Sequence, residues 1–150
     1  MPAPKLSLKG RALKYLAARE HSRAELLRKL APHAEEPAEV ERVLDELEAR
    51  GLLSAERFVE SLLHRRAARL GTARLRQELQ QHKLPADAVA QAVEALRGTE
   101  LERARAVWQR RFGGEPAADA AERARQVRFL TARGFSSEVI RRVVRGADGD

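Results

Sequence analysis

The chain repeats one pattern of three short helices, and this repeat constrains its fold more than any single motif. The first unit reads LSLKGRALKYLAARE, then HSRAELLRKL, then EEPAEVERVLDELEARG. Apolar residues recur every three or four positions in each segment, which is the spacing of one buried helical face. Ser22 and Glu25 are spaced as a capping box. Pro37 suits a first helical turn, and Gly51 suits a helix end.

Two further units follow the same plan at intervals of about 45–50 residues, the range of helical repeat proteins. The second unit is SAERFVESLLHRRAARLG, TARLRQELQQHKL and PADAVAQAVEAL, and the third is ELERARAVWQRRF, DAAERARQVRFLTARG and FSSEVIRRVVRG. We therefore predict an all-α protein of three tandem three-helix repeats, similar to helix-turn-helix folds, that forms an elongated, curved molecule. The predicted repeats are residues 1–53, 54–98 and 99–150. A single irregular helical bundle is the alternative.

One corner near the end of the chain, TARGFSSEVI, is defined sharply enough to predict its geometry. Gly134 is expected to end a helix in the left-handed conformation, and Ser136 or Ser137 to cap the next helix. Phe135 is expected to fill the space between the two helices. Trp108 is expected in the core of the same unit, and GGEPAAD, residues 113–119, is expected to be a loop.

Positive charge is the main functional signal of the sequence. The net charge is +7, and 24 of the 29 basic residues are arginine, whose planar fork matches phosphate and carboxylate groups. The first unit is nearly balanced at +1, whereas the second and third carry +3 each. A basic chain of this size indicates nucleic acid or an acidic protein groove as a partner. A genome rich in G and C, which favours arginine codons, is the competing explanation.

The arginines of the second and third units are the candidate binding residues, because they are clustered at neighbouring helix ends. The candidates for filament or DNA binding are Arg65, Arg69, Arg74, Arg76, Arg110, Arg111, Arg123, Arg125, Arg128, Arg133, Arg141, Arg142 and Arg145. Some of them, such as Arg110, also suit a helix C-terminus without any ligand. Arg66 lies within an apolar stripe, which predicts that its head either reaches solvent or binds carbonyl groups at a junction.

The sequence offers little for catalysis. It has no cysteine, and its four histidines are scattered without the spacing of a metal site. No phosphate-binding loop is present. We expect no enzymatic activity, no metal and no cofactor. The sequence contains neither an apolar run of membrane-spanning length nor a secretory signal, so we expect a cytoplasmic protein that does not engage membranes.

Three ordered segments resemble one family over nearly the whole chain, from about Arg11 to Arg145. These segments are REHSRAELLRKL, then VLDELEARGLLSAERFVESLLHRRAARLGTARLRQEL, then ARGFSSEVIRRVV. They resemble RecX, the bacterial regulator of the RecA recombinase. Family members often carry LDD after the first unit, where this chain has Leu53-Ser54-Ala55 and leaves Ser54 to cap the next helix.

The resemblance implies a non-enzymatic monomer that lies in the groove of the RecA–DNA filament. There it would damp ATP hydrolysis, filament growth and strand exchange, and it would also bind single-stranded DNA, double-stranded DNA or both. A helix-turn-helix transcription factor is the main alternative, but the helices EVERVLDELEAR and DAVAQAVEAL are acidic or neutral, which argues against groove reading. A scaffold without nucleic-acid contact is the third possibility.

Overall fold

The computed structural model describes residues 5–144, and every regular element in that range is helical. This part of the chain forms eight α-helices and one 3₁₀ turn, Ala31–His33. The helices are α1 (Leu8–Ala18), α2 (Arg23–Leu30), α3 (Pro37–Ala49), α4 (Ala55–Arg66), α5 (Thr72–Gln80), α6 (Ala86–Phe112), α7 (Ala120–Ala132) and α8 (Ser137–Val143). The all-α prediction is confirmed for this part of the chain.

The first repeat, α1 to α3, forms as its sequence predicts. The side chain of Ser22 accepts the N–H of Glu25 at 3.1 Å, and the carboxylate of Glu25 accepts the N–H of Ser22 at 3.0 Å, so the capping box is present. Pro37 is the first residue of α3, and Gly51 follows its end at a φ of 73°. Leu53 closes the core of this repeat.

Helix α6 is 27 residues long and serves two repeats. Its first half packs on α4 and α5, and its second half packs on α7 and α8. The predicted boundary between the second and third repeats follows residue 98, but Gly98 lies inside one continuous helix. A single glycine costs a helix only about 1 kcal/mol relative to alanine, and the buried Leu96 and Ala104 on either side offset it. The second and third repeats therefore share a helix.

Each repeat packs around its own apolar core. The first is built on Leu26, Leu30 and Leu44, the second on Phe58, Leu75 and Leu79, and the third on Leu130, Phe135 and Ile140. Apart from the shared α6, the helices make their main contacts within their own repeat. The cores follow one another along the molecule, which confirms the elongated tandem arrangement.

The corner between α7 and α8 has the predicted geometry. Gly134 adopts a φ of 91°, in the region that favours glycine. Phe135 is buried in the third core, and the side chain of Ser136 accepts the N–H of Val139 at 3.2 Å. The loop at residues 113–119 is also present, between α6 and α7. The corner thus fixes how α8 leaves α7.

The contact between the first and second repeats is polar. The hydroxyl of Ser22 lies 2.8 Å from Nδ1 of His82, and the carboxylate of Glu25 lies 3.9 Å from the same nitrogen. Arg19 pairs with Glu25 at 2.7 Å. Burial raises the pKa of Glu25, but the hydrogen bonds from Arg19 and from the Ser22 backbone outweigh it and lower the pKa to about 2.

Acid should weaken this junction through Glu25. Because the pKa is lower in the folded state than its ordinary value of 4.5, the stabilisation is complete above pH 4.5 and is lost as the pH falls towards 2. We expect the wild type to exceed Glu25→Gln by on the order of 2 kcal/mol in free energy of unfolding at pH 6, and by much less at pH 2. Urea unfolding across this range measures the difference. A difference that does not change with pH contradicts this assignment.

Candidate functional site

The turn between α4 and α5, residues 67–71, is where the second and third repeats meet. The N–H of Gly71 donates to the carbonyl oxygen of Arg133, at the end of α7, over 2.7 Å. A Cβ atom on Gly71 would lie 2.2 Å from the carbonyl carbon of Gly134, and one on Gly134 would lie 2.4 Å from Cβ of Arg74. Two backbones approach this closely only because both positions are glycine.

Arg103, on the second half of α6, binds the same turn through its half-buried side chain. Burial lowers the pKa of its guanidinium from the ordinary value. The side chain donates to the carbonyl oxygens of Ala67, Leu70 and Leu96 and to the hydroxyls of Thr72 and Thr99. Because carbonyl groups that follow a helix end have no partner within the helix, Arg103 supplies the donors that α4 lacks.

A buried carboxylate completes the junction. Gly71 precedes α5 and has no side chain to cap it, but Oε1 of Glu100 accepts the N–H of Thr72 at 2.7 Å. Glu100 is 6% exposed and lies on α6 three residues before Arg103. One turn of α6 therefore provides hydrogen-bond partners both for the N–H group at the start of α5 and for the carbonyl groups after the end of α4. These bonds hold the second repeat against the third.

Four candidate arginines converge at this junction. Arg69 comes from the turn, Arg110 and Arg111 from the end of α6, and Arg133 from the end of α7. They line one open groove of about 450 Å³ together with Val107 and Phe129. Arg110 donates to the carbonyl oxygen of Ala68 at 2.9 Å, which ties the end of α6 to the turn that carries Arg69. We call these residues the arginine groove.

Aromatic rings brace the arginines of the groove. The guanidinium carbon of Arg133 lies 4.9 Å from the ring centre of Phe129, and that of Arg111 lies 5.3 Å from the same ring. Phe112 meets Phe129 edge to face, with ring centres 5.5 Å apart, and Arg125 lies over Phe112 at 5.6 Å. The face of an aromatic ring attracts a guanidinium group, and stacking on the ring restricts the motion of that side chain.

Within residues 5–144, the groove arginines differ from several arginines elsewhere on the surface that are paired with carboxylates. In the first repeat, Arg23 contacts three carboxylates, on Glu41, Asp45 and Glu48, at 2.5–2.8 Å. Arg66 pairs with Glu78 through two hydrogen bonds of 2.7 and 2.8 Å, so its head reaches solvent and does not bind carbonyl groups. In contrast, no carboxylate of residues 5–144 lies within 4.0 Å of the four groove arginines. The groove therefore keeps its positive charge.

The remaining candidates do not join this groove. Arg65 donates to a backbone carbonyl of its own helix, and Arg74 donates to the carbonyl oxygen of Ala132 at 3.3 Å, beside the glycine contact. Arg76 lines a separate groove between α5 and α6. The others occupy helices of the third repeat: Arg123, Arg125 and Arg128 on α7, and Arg141 and Arg142 on α8. Arg145 lies outside the described residues.

Two residues that organise the site are not among the sequence candidates. Arg103 sits in an arginine-rich helix, and Glu100 directly follows a Gly-Thr pair that resembles a helix break. Their partners in the α4–α5 turn and at the start of α5 lie 28 to 36 positions earlier in the chain. A signal is present in their spacing of three, which places them on one face of a helix, but only once α6 is known to be continuous.

The comparisons with known proteins follow the same division into repeats. Family models match in chain order: RecX, first three-helix domain, at residues 9–47; RecX, second three-helix domain, at 56–93; and RecX, third three-helix domain, at 99–144. The chain belongs to the RecX family. Its curated relatives are named as regulatory proteins.

Curated relatives support the same assignment. A protein named regulatory protein RecX from Leptothrix cholodnii is 68% identical over 97% of this chain and 92% of its own length. Another protein of that name, from Ralstonia nicotianae, is 60% identical over 99% of this chain and 92% of its own length. A relative from Chromobacterium violaceum is 43% identical over 100% of this chain and 97% of its own length.

Two crystal structures share the fold. One of a regulatory protein RecX matches with a TM-score of 0.76 at 20% identity, and covers 95% of this chain and 81% of that one. RecX from Lactobacillus salivarius matches with a TM-score of 0.75 at 15% identity, and covers 91% and 92%. At these identities, the matches show that the tandem-repeat fold is common to this RecX chain and both structures.

Other features of this RecX chain are structural. As predicted, Trp108 packs against the third core, and its indole N–H donates to the buried Gln126 at 2.9 Å. His64 is exposed, whereas His21 is buried and forms a hydrogen bond at each of its two ring nitrogens. Between residues 5 and 144, no three His, Asp or Glu side chains are grouped to hold a metal ion. No helix in that range has the length and apolarity to span a bilayer.

Proposed function

We propose that this protein regulates homologous recombination and DNA repair by binding in the groove of a RecA–DNA filament. It damps ATP hydrolysis, filament extension and strand exchange there, without enzymatic activity of its own. The observation that carries the proposal is the ordered match of three RecX domains along one chain. The names of the curated relatives support a regulatory role.

The fold suits a filament groove. Three repeats in a row present a long surface, and α6 makes the second and third repeats one continuous support. A body of this kind contacts more than one recombinase subunit at a time and hinders the motion of each against the next. Because the subunits move relative to one another during the ATP cycle, such a contact lowers the rate of hydrolysis.

The charge distribution provides the attraction. The arginine groove has no carboxylate partner among the described residues, so its charge is available to DNA phosphates or to an acidic protein wall. Arginines that bind a DNA backbone release counterions and make binding dependent on salt. We therefore expect the regulator to act less strongly as the salt concentration rises.

The assay for this proposal measures ATP hydrolysis by RecA on single-stranded DNA while the protein is added in increasing amounts. We expect hydrolysis and strand exchange to fall progressively and to be suppressed severalfold at equimolar protein. An unrelated DNA-dependent ATPase on the same DNA is the control, and it should keep its rate. Unchanged RecA activity at equimolar protein contradicts the proposal. Tight, sequence-dependent duplex binding at high salt would instead indicate a transcription factor.

A further inference from the structure

We propose that the arginine groove is a binding site for single-stranded DNA, which it holds through the phosphates of one strand. This inference rests on the proposed function, because it names the ligand by which the third repeat engages a DNA-bound recombinase. The groove is lined by Arg69, Arg110, Arg111 and Arg133 around Phe129. Its ligand chemistry is that of a flexible phosphodiester chain.

The origin of the four guanidinium groups supports a built site. They come from three separate elements that the junction brings together: the α4–α5 turn, the end of α6 and the end of α7. The hydrogen bonds from Gly71 to Arg133 and from Arg110 to Ala68 fix the backbones that carry them. Like charges are gathered here without a carboxylate among the described residues, which costs free energy unless an anion is bound.

The rings explain how the arginines are prepared for binding. Arg111 and Arg133 both stack on Phe129, and Phe112 holds that ring from its edge. A guanidinium that is already stacked loses less conformational entropy when it binds a phosphate. Phe129 lines the groove and is half-buried, so its accessible part also offers apolar contact to an unstacked base.

The shape of the groove favours one strand over a duplex. Its volume of about 450 Å³ is that of a small-ligand site, and its arginines face one concave region. A rigid duplex requires phosphate contacts spread along a helical path, whereas a flexible single strand bends so that neighbouring phosphates meet the arginines of one short, open groove. Single-stranded DNA is also the substrate on which recombinase filaments form, so the ligand is present where the proposed function places the protein.

The test measures binding of the full-length protein to a fluorescein-labelled oligothymidylate by anisotropy, from 50 to 200 mM salt and without recombinase. We expect Arg111→Ala/Arg133→Ala to weaken binding at least tenfold near 0.1 M salt. Two lost phosphate contacts should also reduce the salt slope, the change in log K with log[salt], by about 1.4. Arg28→Ala/Arg42→Ala is the matched control, because it removes two exposed arginines from the first repeat. It should leave the slope unchanged.

A second variant distinguishes binding at this specific site from a general effect of net charge. Phe129→Leu keeps the charge and most of the apolar volume, but removes the ring on which both guanidiniums stack. We expect it to weaken binding about fivefold. Thermal melting confirms that each variant is folded. A folded double variant with unchanged affinity and slope overturns the site, as does equal affinity for a duplex of the same length.

Failure of this inference differs from failure of the proposed function. If the wild type inhibits RecA while the double variant binds oligothymidylate normally, the groove is not the DNA site and the regulatory function stands. If the double variant loses DNA binding but the wild type leaves RecA unaffected, the site stands and the regulatory function fails.

Discussion

Gly71→Ala is expected to destabilise the protein by about 3 kcal/mol and to lower its Tm by roughly 6–12 °C. The new Cβ would lie 2.2 Å from the carbonyl carbon and 2.3 Å from the carbonyl oxygen of Gly134. Both are backbone atoms of a turn that is itself held by a hydrogen bond from Gly71, so the clash cannot be relieved by a side-chain rotation. Thermal melting by circular dichroism measures the loss.

Gly98→Ala is the matched control for this substitution. Gly98 lies in the interior of α6, and a Cβ there meets no atom within 4 Å. Alanine at that position should raise the free energy of unfolding by about 0.5–1 kcal/mol, because it favours the helix. If Gly71→Ala melts like the wild type, the two glycine backbones are not in close contact at the junction.

Arg103→Met should be the other severe change, with a loss of about 2–4 kcal/mol. Methionine keeps an apolar stem of similar length but removes the side-chain donor for two carbonyl groups of the turn, those of Ala67 and Leu70. Buried acceptors left without a donor cost about 1–3 kcal/mol each when water cannot reach them, and partial access of water lowers the sum. Urea unfolding gives the free energy directly.

Arg105→Met provides the comparison on the same helix. Arg105 is exposed and two residues further along α6, so its replacement should change stability by no more than about 0.5 kcal/mol. Equal effects of the two substitutions would show that Arg103 is an ordinary surface arginine. The DNA affinity of Arg103→Met should also fall, because the turn that carries Arg69 loses its support.

Local signals in the sequence predicted the helices well. The capping box of Ser22 and Glu25, the turn at Gly134 and the cap at Ser136 each depend on residues within a few positions of one another. The spacing of neighbouring residues is sufficient to predict such interactions. The internal repeat of the pattern predicted three tandem three-helix units, and the three domain matches bear this out.

The junction was not predictable by the same means. Gly71 and Gly134 each suit a helix boundary, and nothing in either segment indicates that the two glycines touch across 63 positions. Gly98 followed by Thr99 suggests a boundary, but the packing on both sides carries α6 through it. Tertiary contacts outweigh the low helix propensity of glycine, which costs only about 1 kcal/mol. The role of Arg103 could not be predicted because it depends on the continuity of α6.

The same limit applies to the candidate site. Arginine clustering in the sequence indicated the second and third repeats, but thirteen candidates could not be ranked. The structure places four of them in one groove and gives others, such as Arg74, a backbone carbonyl as partner. What separates the groups is the fold of the junction, together with local pairing such as that of Arg125 with Glu122 at 3.7 Å.

Direct binding to the filament tests the central claim most sharply. The chain contains no cysteine, so Ala38→Cys, exposed on α3, allows a single fluorescent label far in sequence from the arginine groove. The labelled protein is titrated with RecA filaments on single-stranded DNA, with RecA alone and with the DNA alone. We expect saturable binding to filaments that is at least tenfold tighter than binding to either component. Equal affinity for filaments and for bare DNA would contradict the claim.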